Sequence, residues 1–246
     1  MIERQLDIAT PDGACATFVV HPERDGPHPV VLFLMDAPAI REELRDMARR
    51  LASVGYYVML PNLYYRSGVT ELWPFPTEPA ALEKAREGMF ALMNSLTIPR
   101  VMRDCGAMLA FADADAAADA SRVGTVGYCM SGPFAISTAA AFPGRVRAAA
   151  SIHGVSLMTD APDSPHRAAR GRDASFYFAC AQIDRWFPEE MIAPLAADLA
   201  AHGVDAEVEL YPAVEHGFVF PQRPAYDRPA AERHWERVLA LFRRRL

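Results

Sequence analysis

Val123-Gly124-Thr125-Val126-Gly127-Tyr128-Cys129-Met130-Ser131-Gly132 is the stretch whose reading decides the fold. A β-branched, glycine-punctuated run reads as a buried strand. A turn of small residues follows, and then an alanine-rich helix over Phe134 to Ala141. A residue at the tip of such a strand–turn–helix corner is held in a strained turn and projects from it. Helical N–H groups and the positive end of the helix dipole lie just behind it, where they stabilise a thiolate or an oxyanion. Cys129 at this tip reads as a nucleophile. Gly-x-Cys-x-x-Gly alone is a weak pattern, because free cysteine is more often a small buried hydrophobe. The decision therefore rests on the flanking chain.

Upstream, Ile2 to Ile8 and Ala14 to Val20 flank Pro11-Asp12-Gly13 and predict an opening antiparallel hairpin. Val30 to Met35 is a continuous apolar run, the mark of a strand buried on both faces, and Asp36 follows at its end. Leu44, Met47, Ala48 and Leu51 give a helix face closed by Gly55, and Tyr56 to Leu60 is the next strand. Strand–helix–strand order argues for a parallel sheet. Residues 61–80 mix four prolines with Tyr64, Tyr65, Trp73 and Phe75 and predict an ordered loop walling a pocket. Helices are expected over about 79–95 and 99–118, with Ala112 to Ala120 as the frayed end of the second.

Downstream, Ala148 to Ile152, Ser175 to Ala181 and Ala206 to Tyr211 read as strands, and 155–173 as loop. Met191, Ile192, Leu195 and Leu199 make a helix face closed by Gly203, with Pro194 as a kink or first turn. Pro229 opens the last helix, whose Arg243-Arg244-Arg245 suits a helix C-terminus. With no repeat and no second composition regime, residues 1–246 read as a single α/β domain: a mostly parallel sheet with an N-terminal hairpin and helices on both faces.

Composition narrows the function. A hydrophobic fraction of 51% with 23% charged residues is that of a soluble globular chain. A net charge of −6 argues against a nucleic-acid partner. No apolar run reaches the ~18 residues of a membrane span, and the N-terminus lacks the basic-then-apolar pattern of a signal peptide. Cysteines 15, 105, 129 and 180 show no metal-ligand spacing, which fits a reduced, cytoplasmic setting.

Three residues fall just after strands, in the order Cys129, Asp184, His216. Loops at the carboxyl edge of a parallel sheet converge, so residues far apart in sequence can meet there. Nucleophile, acid, histidine is the chain order of the α/β-hydrolases. A thiol of pKa ~8.5 is only slightly ionised at neutral pH. An imidazole can take its proton, and a carboxylate can fix that imidazole's tautomer. His153, also after a strand, is the competing base, and Ser131 the competing nucleophile.

With these residues on the page, the chain resembles the dienelactone hydrolases, a cysteine-dependent branch of the α/β-hydrolases. The resemblance rests on Gly127-Tyr128-Cys129-Met130-Ser131-Gly132, Pro61-Asn62-Leu63-Tyr64, Gln182-Ile183-Asp184 and Glu215-His216-Gly217-Phe218. It implies hydrolysis of a small ester or lactone without metal or organic cofactor. It implies that Asp36, where the family usually has glutamate, pairs with the resting cysteine. The backbone N–H groups of Met130 and Ala37 would form the oxyanion hole, and Arg86 would hold a substrate carboxylate. Tyr128, Phe90 and Phe220 would border the substrate. Family members often carry a second arginine at the position of Phe220 and an aromatic hydroxyl at that of Phe90, so a less cationic, more apolar pocket is expected. The assembly expected is a monomer or small homo-oligomer. Thioester cleavage on the same site and a catalytically silent, ligand-binding homologue remain the alternative readings.

Overall fold

The structure, a computed structural model, describes residues 1–246. The elements run β1 (Ile2–Thr10), β2 (Gly13–His21), β3 (His28–Leu34), α1 (Glu42–Ala52), β4 (Tyr57–Pro61), α2 (Pro79–Ser95), α3 (Ile98–Asp113) and β5 (Ala118–Tyr128). They continue α4 (Gly132–Ala141), β6 (Val146–Ile152), α5 (Pro165–Ala168), β7 (Ser175–Ile183), α6 (Ile192–Ala201), β8 (Ala206–Glu215) and α7 (Arg228–Arg245). The eight strands form one sheet in the order β1-β2-β4-β3-β5-β6-β7-β8. β1 pairs antiparallel with β2 from Ile2↔His21 to Thr10↔Gly13, and β2 antiparallel with β4, while every later pairing is parallel.

Successive residues of β5 show how both faces are covered. A side chain at Gly124 would run into Phe242 and Leu246 at the end of α7. Thr125, pointing the other way, donates its hydroxyl to the Ala135 carbonyl of α4 at 3.0 Å. Because strand side chains alternate, α7 lies on one face and α4 on the other. The central strands are accordingly apolar without alternation: Val30 to Met35 have no exposed surface.

Two expectations need correcting. Residues 112–120 are not a fraying helix: α3 stops at Asp113 and β5 begins at Ala118. Alanine favours helix intrinsically, but here Ala118 and Asp119 pair with His28 and Pro29 of β3, and tertiary pairing overrides propensity. The 155–173 loop also contains the short helix α5. Pro194 sits in the first turn of α6, where a missing N–H costs nothing.

The strand order reverses direction at β3: the chain goes outward to β4, then back across β3 to β5. Open α/β sheets bind their ligands at the carboxyl ends of the strands beside such a switch point. Leu34, the last residue of β3, pairs with Gly127, so Asp36 and Cys129 emerge side by side at that edge.

Candidate active site

Cys129 has a φ of 54°, a left-handed conformation unusual for a side chain with a Cβ. The turn closes so tightly that a Cβ on Gly127 would stand 2.1 Å from the Ser131 carbonyl oxygen. On the far side, Gly132 and Gly154 meet back to back, with Ser151 Oγ 2.4 Å and 2.1 Å from where their Cβ atoms would be. The glycines let β5, the elbow and β6 approach without side chains between them. Ser131, the competing nucleophile, is fully buried and donates its hydroxyl to the Met35 carbonyl.

β8 runs to Glu215, so His216 follows its strand directly rather than five residues later. Between β7 and β8 the pairing passes from Ala181↔Tyr211 to Ile183↔Glu215, giving β8 two extra residues. Ala213, inside that bulge, has a φ of 57°, and its N–H is capped by Gln182 Oε1 at 2.7 Å. Such a bulge re-aims the side chains beyond it. His216 Nδ1 lies 2.6 Å from Asp184 Oδ2, while Asp184 Oδ1 accepts the Trp186 N–H at 2.8 Å. The carboxylate is thereby fixed, and the ring tautomer with it. His216 Nε2 has no hydrogen-bond partner. Burial alone would push the His216 pKa down; the adjacent Cys129 sulfur and the Asp184 carboxylate outweigh burial and raise it to about 10. The arrangement can hold an imidazolium beside a thiolate and pass a proton between ring and sulfur.

His153 is not placed as the base. It is buried, neither ring nitrogen has a partner, and its ring packs T-shaped on His216 at 4.7 Å. Burial first, then the neighbouring charges of His216 and Arg223, hold its pKa well below that of an ordinary histidine. It stays neutral and faces apolar rings.

Ala37 makes no backbone hydrogen bond through its N–H, whereas Ala39 N–H closes the turn onto Asp36 O at 3.1 Å. Met130 lies in the first turn of the elbow, where N–H groups lack intrahelical partners. Tyr64 connects the two residues: its hydroxyl is 3.1 Å from the Ala37 carbonyl and 3.1 Å from the Met130 sulfur. Tyr64 belongs to the Pro61-Asn62-Leu63-Tyr64 stretch that carries the family resemblance, and no local pattern signals this contact.

Asp36 does not pair with the sulfur. It is fully buried, and both carboxylate oxygens accept from Arg41, at 2.7 and 3.3 Å, with Arg223 closing on Oδ2. Arg41 also binds Glu43 at 2.7 Å, and both guanidiniums stack on Phe220, at 4.9 and 4.7 Å. The shorter aspartate is thus engaged by two cations that the sequence reading did not connect to it.

Cys129 and His216 open into a cavity of about 370 Å³. Arg86 and Phe90 line it, as does Phe75 from the 61–80 loop. Tyr128 and Phe220 do not: both are fully buried beneath it, Tyr128 stacked on Phe33 at 5.0 Å. The pocket is also more cationic than expected, because Arg185 and Arg223 line it together with Arg86. Arg223 reaches the cavity wall three residues beyond Phe220, where its charge is met by Asp36. Arg185 stacks on Trp186 at 4.7 Å, and Trp186 packs on Phe90 at 5.7 Å. No group of three or more His, Cys, Asp or Glu side chains is placed to hold a metal ion.

Sheet order, elbow and topological position define an α/β-hydrolase. Within that class the chain belongs to the dienelactone hydrolase family, whose model matches residues 15–246. It is therefore of the carboxylic ester hydrolase class. A protein of Methylorubrum extorquens assigned as a carboxymethylenebutenolidase is 27% identical over 99% of this chain and 81% of its own length. A Bradyrhizobium protein assigned as a 2-oxo-3-(5-oxofuran-2-ylidene)propanoate lactonase is 24% identical over 97% of this chain and 92% of its own. A crystal structure assigned as a dienelactone hydrolase of Klebsiella pneumoniae superposes with a TM-score of 0.84 at 25% identity, covering 98% of each chain. No helix is long and apolar enough to cross a membrane.

Proposed function

We propose that this chain hydrolyses small esters or lactones through Cys129, His216 and Asp184. One observation carries the reading: His216 is oriented by Asp184 through Nδ1, keeps Nε2 free, and shares a cavity wall with Cys129 of the strained elbow. The Cys129 thiolate attacks the carbonyl carbon, a C–S bond forms, and the oxygen takes the negative charge. The N–H groups of Met130 and Ala37 receive that oxyanion; one such donor is worth ~3 kcal/mol in related acyl transfer. The intermediate collapses, the C–O bond breaks, and the leaving alkoxide takes the His216 proton. His216 Nε2 then removes a proton from water, which attacks the thioester and releases acid and thiolate. Arg86 and Arg185 favour a substrate carrying a carboxylate, in keeping with the propanoate group in the name of the Bradyrhizobium relative.

Cys129→Ala removes turnover of an activated aryl ester while leaving the melting temperature within a few degrees. Retained turnover would falsify the assignment. Alkylation separates Cys129 from the other thiols: burial pushes Cys15 and Cys180 up to about 12 and raises Cys105 as well. Iodoacetamide at pH 7 should label residue 129 alone in the folded protein. A panel of matched esters, lactones and thioesters then ranks the acyl-transfer alternatives.

A further inference from the structure

A second cavity, of about 350 Å³, lies against the first. Met93 of α2 and Val155 of the loop after β6 belong to the walls of both. Cys129 lines the first, while its neighbour Met130 lines the second. The nucleophile's elbow therefore stands at the border between two chambers. The border is fixed: the Val155 N–H donates to the Cys129 carbonyl at 3.2 Å, and the Ser156 N–H reaches the Trp186 carbonyl at 3.4 Å.

The chambers differ in charge. The first holds Arg86, Arg185 and Arg223, of which Arg223 is neutralised by Asp36. The second is bounded by Leu96, Ile98, Pro133 and Phe134 together with hydroxyl and amide side chains, and its one charged residue is Asp163. A carboxylate suits the first and is repelled from the second. An uncharged, largely apolar group suits the second, where burying methylenes is favourable.

We infer that the second chamber is a subsite for a neutral, mainly apolar arm of the substrate, the other arm being the anionic one. The inference rests on the ester-hydrolase reading above. The substrate class is then a half-ester with the scissile carbonyl between an anionic arm and an uncharged arm of several carbons. α2 roofs both chambers, and none of its residues is buried, so Asn94 can be enlarged without disturbing the core.

Two isomeric series test this. Monoalkyl succinates from methyl to hexyl carry the neutral arm on the alcohol side. O-acyl glycolates of matching length carry it on the acyl side. In one series kcat/KM should rise by roughly three- to fourfold per methylene until the chamber is filled. Asn94→Trp, which fills the chamber, should flatten that rise, cutting the hexyl-to-methyl ratio at least tenfold. Thr159→Trp, from the opposite wall, should do the same and serves if Asn94→Trp does not fold. A ratio unaltered in both variants, or no rise with length in either series, overturns the subsite while the short esters still report hydrolysis. Absence of turnover for every member instead removes the ester reading, and the subsite with it.

Discussion

At the scale of single residues, Cys129 and Gly127 depend on one another. The positive φ of Cys129 projects the sulfur, and the missing side chain at Gly127 lets the Ser131 carbonyl close the turn. A methyl group at Gly127 would meet backbone oxygen and carbon at 2.1 and 2.6 Å, atoms that cannot rotate away. Gly127→Ala should therefore cost ~3 kcal/mol or more, lowering the melting temperature by about 10 °C and activity with it. Gly88, mid-helix in α2, is the contrast: nothing lies within 4 Å of its added Cβ. Gly88→Ala should be neutral or stabilising, by up to ~1 kcal/mol. Thermal melts of the two variants side by side check this reading; similar losses in both would contradict it.

At the scale of elements, the turn after β3 is organised by charge. Asp36, Arg41, Glu43 and Arg223 form a chain of ion pairs, with Asp36 and Arg41 almost wholly out of water. Glu43 Oε1 further accepts the Gln222 N–H at 2.9 Å, tying α1 to the segment that carries Arg223. Replacing one partner of such a group leaves the others buried and unpaired, which costs ~3–5 kcal/mol. Asp36→Asn should thus destabilise the fold by about that amount and release Arg223 into the cavity. A double-mutant cycle with Arg223→Met should recover part of the loss, because the second change removes the stranded cation. Strictly additive losses would mean the pair does not interact.

At the scale of the whole molecule, buried histidines set how stability varies with pH. The folded-state pKa of His216 lies above its ordinary value of 6.5, at about 10. Its contribution is complete below about 6.5 and is lost as pH rises through about 10, because the unfolded chain no longer holds that proton. His234 is shifted the other way, to about 3, chiefly by burial, and His153 also lies well below 6.5. Both must charge on acid unfolding, so stability falls as pH drops below 6.5 toward 3. Denaturant titrations from pH 4 to 10.5 should give a maximum near 6.5. His216→Ala should flatten the alkaline limb and leave the acid limb in place. An alkaline limb unchanged by that substitution would exclude His216 as its source.

The sequence by itself determined the fold class, the hairpin, the elbow and the order Cys129, Asp184, His216. These are local signals: hydrophobic period, turn residues and glycines act between near neighbours in the chain. Arg86 and Phe90 came from the family resemblance rather than from a local pattern, and both line the cavity. Only the tertiary structure decided that residues 118–120 join the sheet, because that depends on pairing with β3. It alone gave Asp36 to Arg41 and Arg223, sank Tyr128 and Phe220 beneath the cavity, and brought Arg185 and Arg223 to its wall. A guanidinium on a long flexible stem pairs with whatever charge folding sets beside it, 187 residues away for Arg223 and Asp36, and no local pattern encodes that partner.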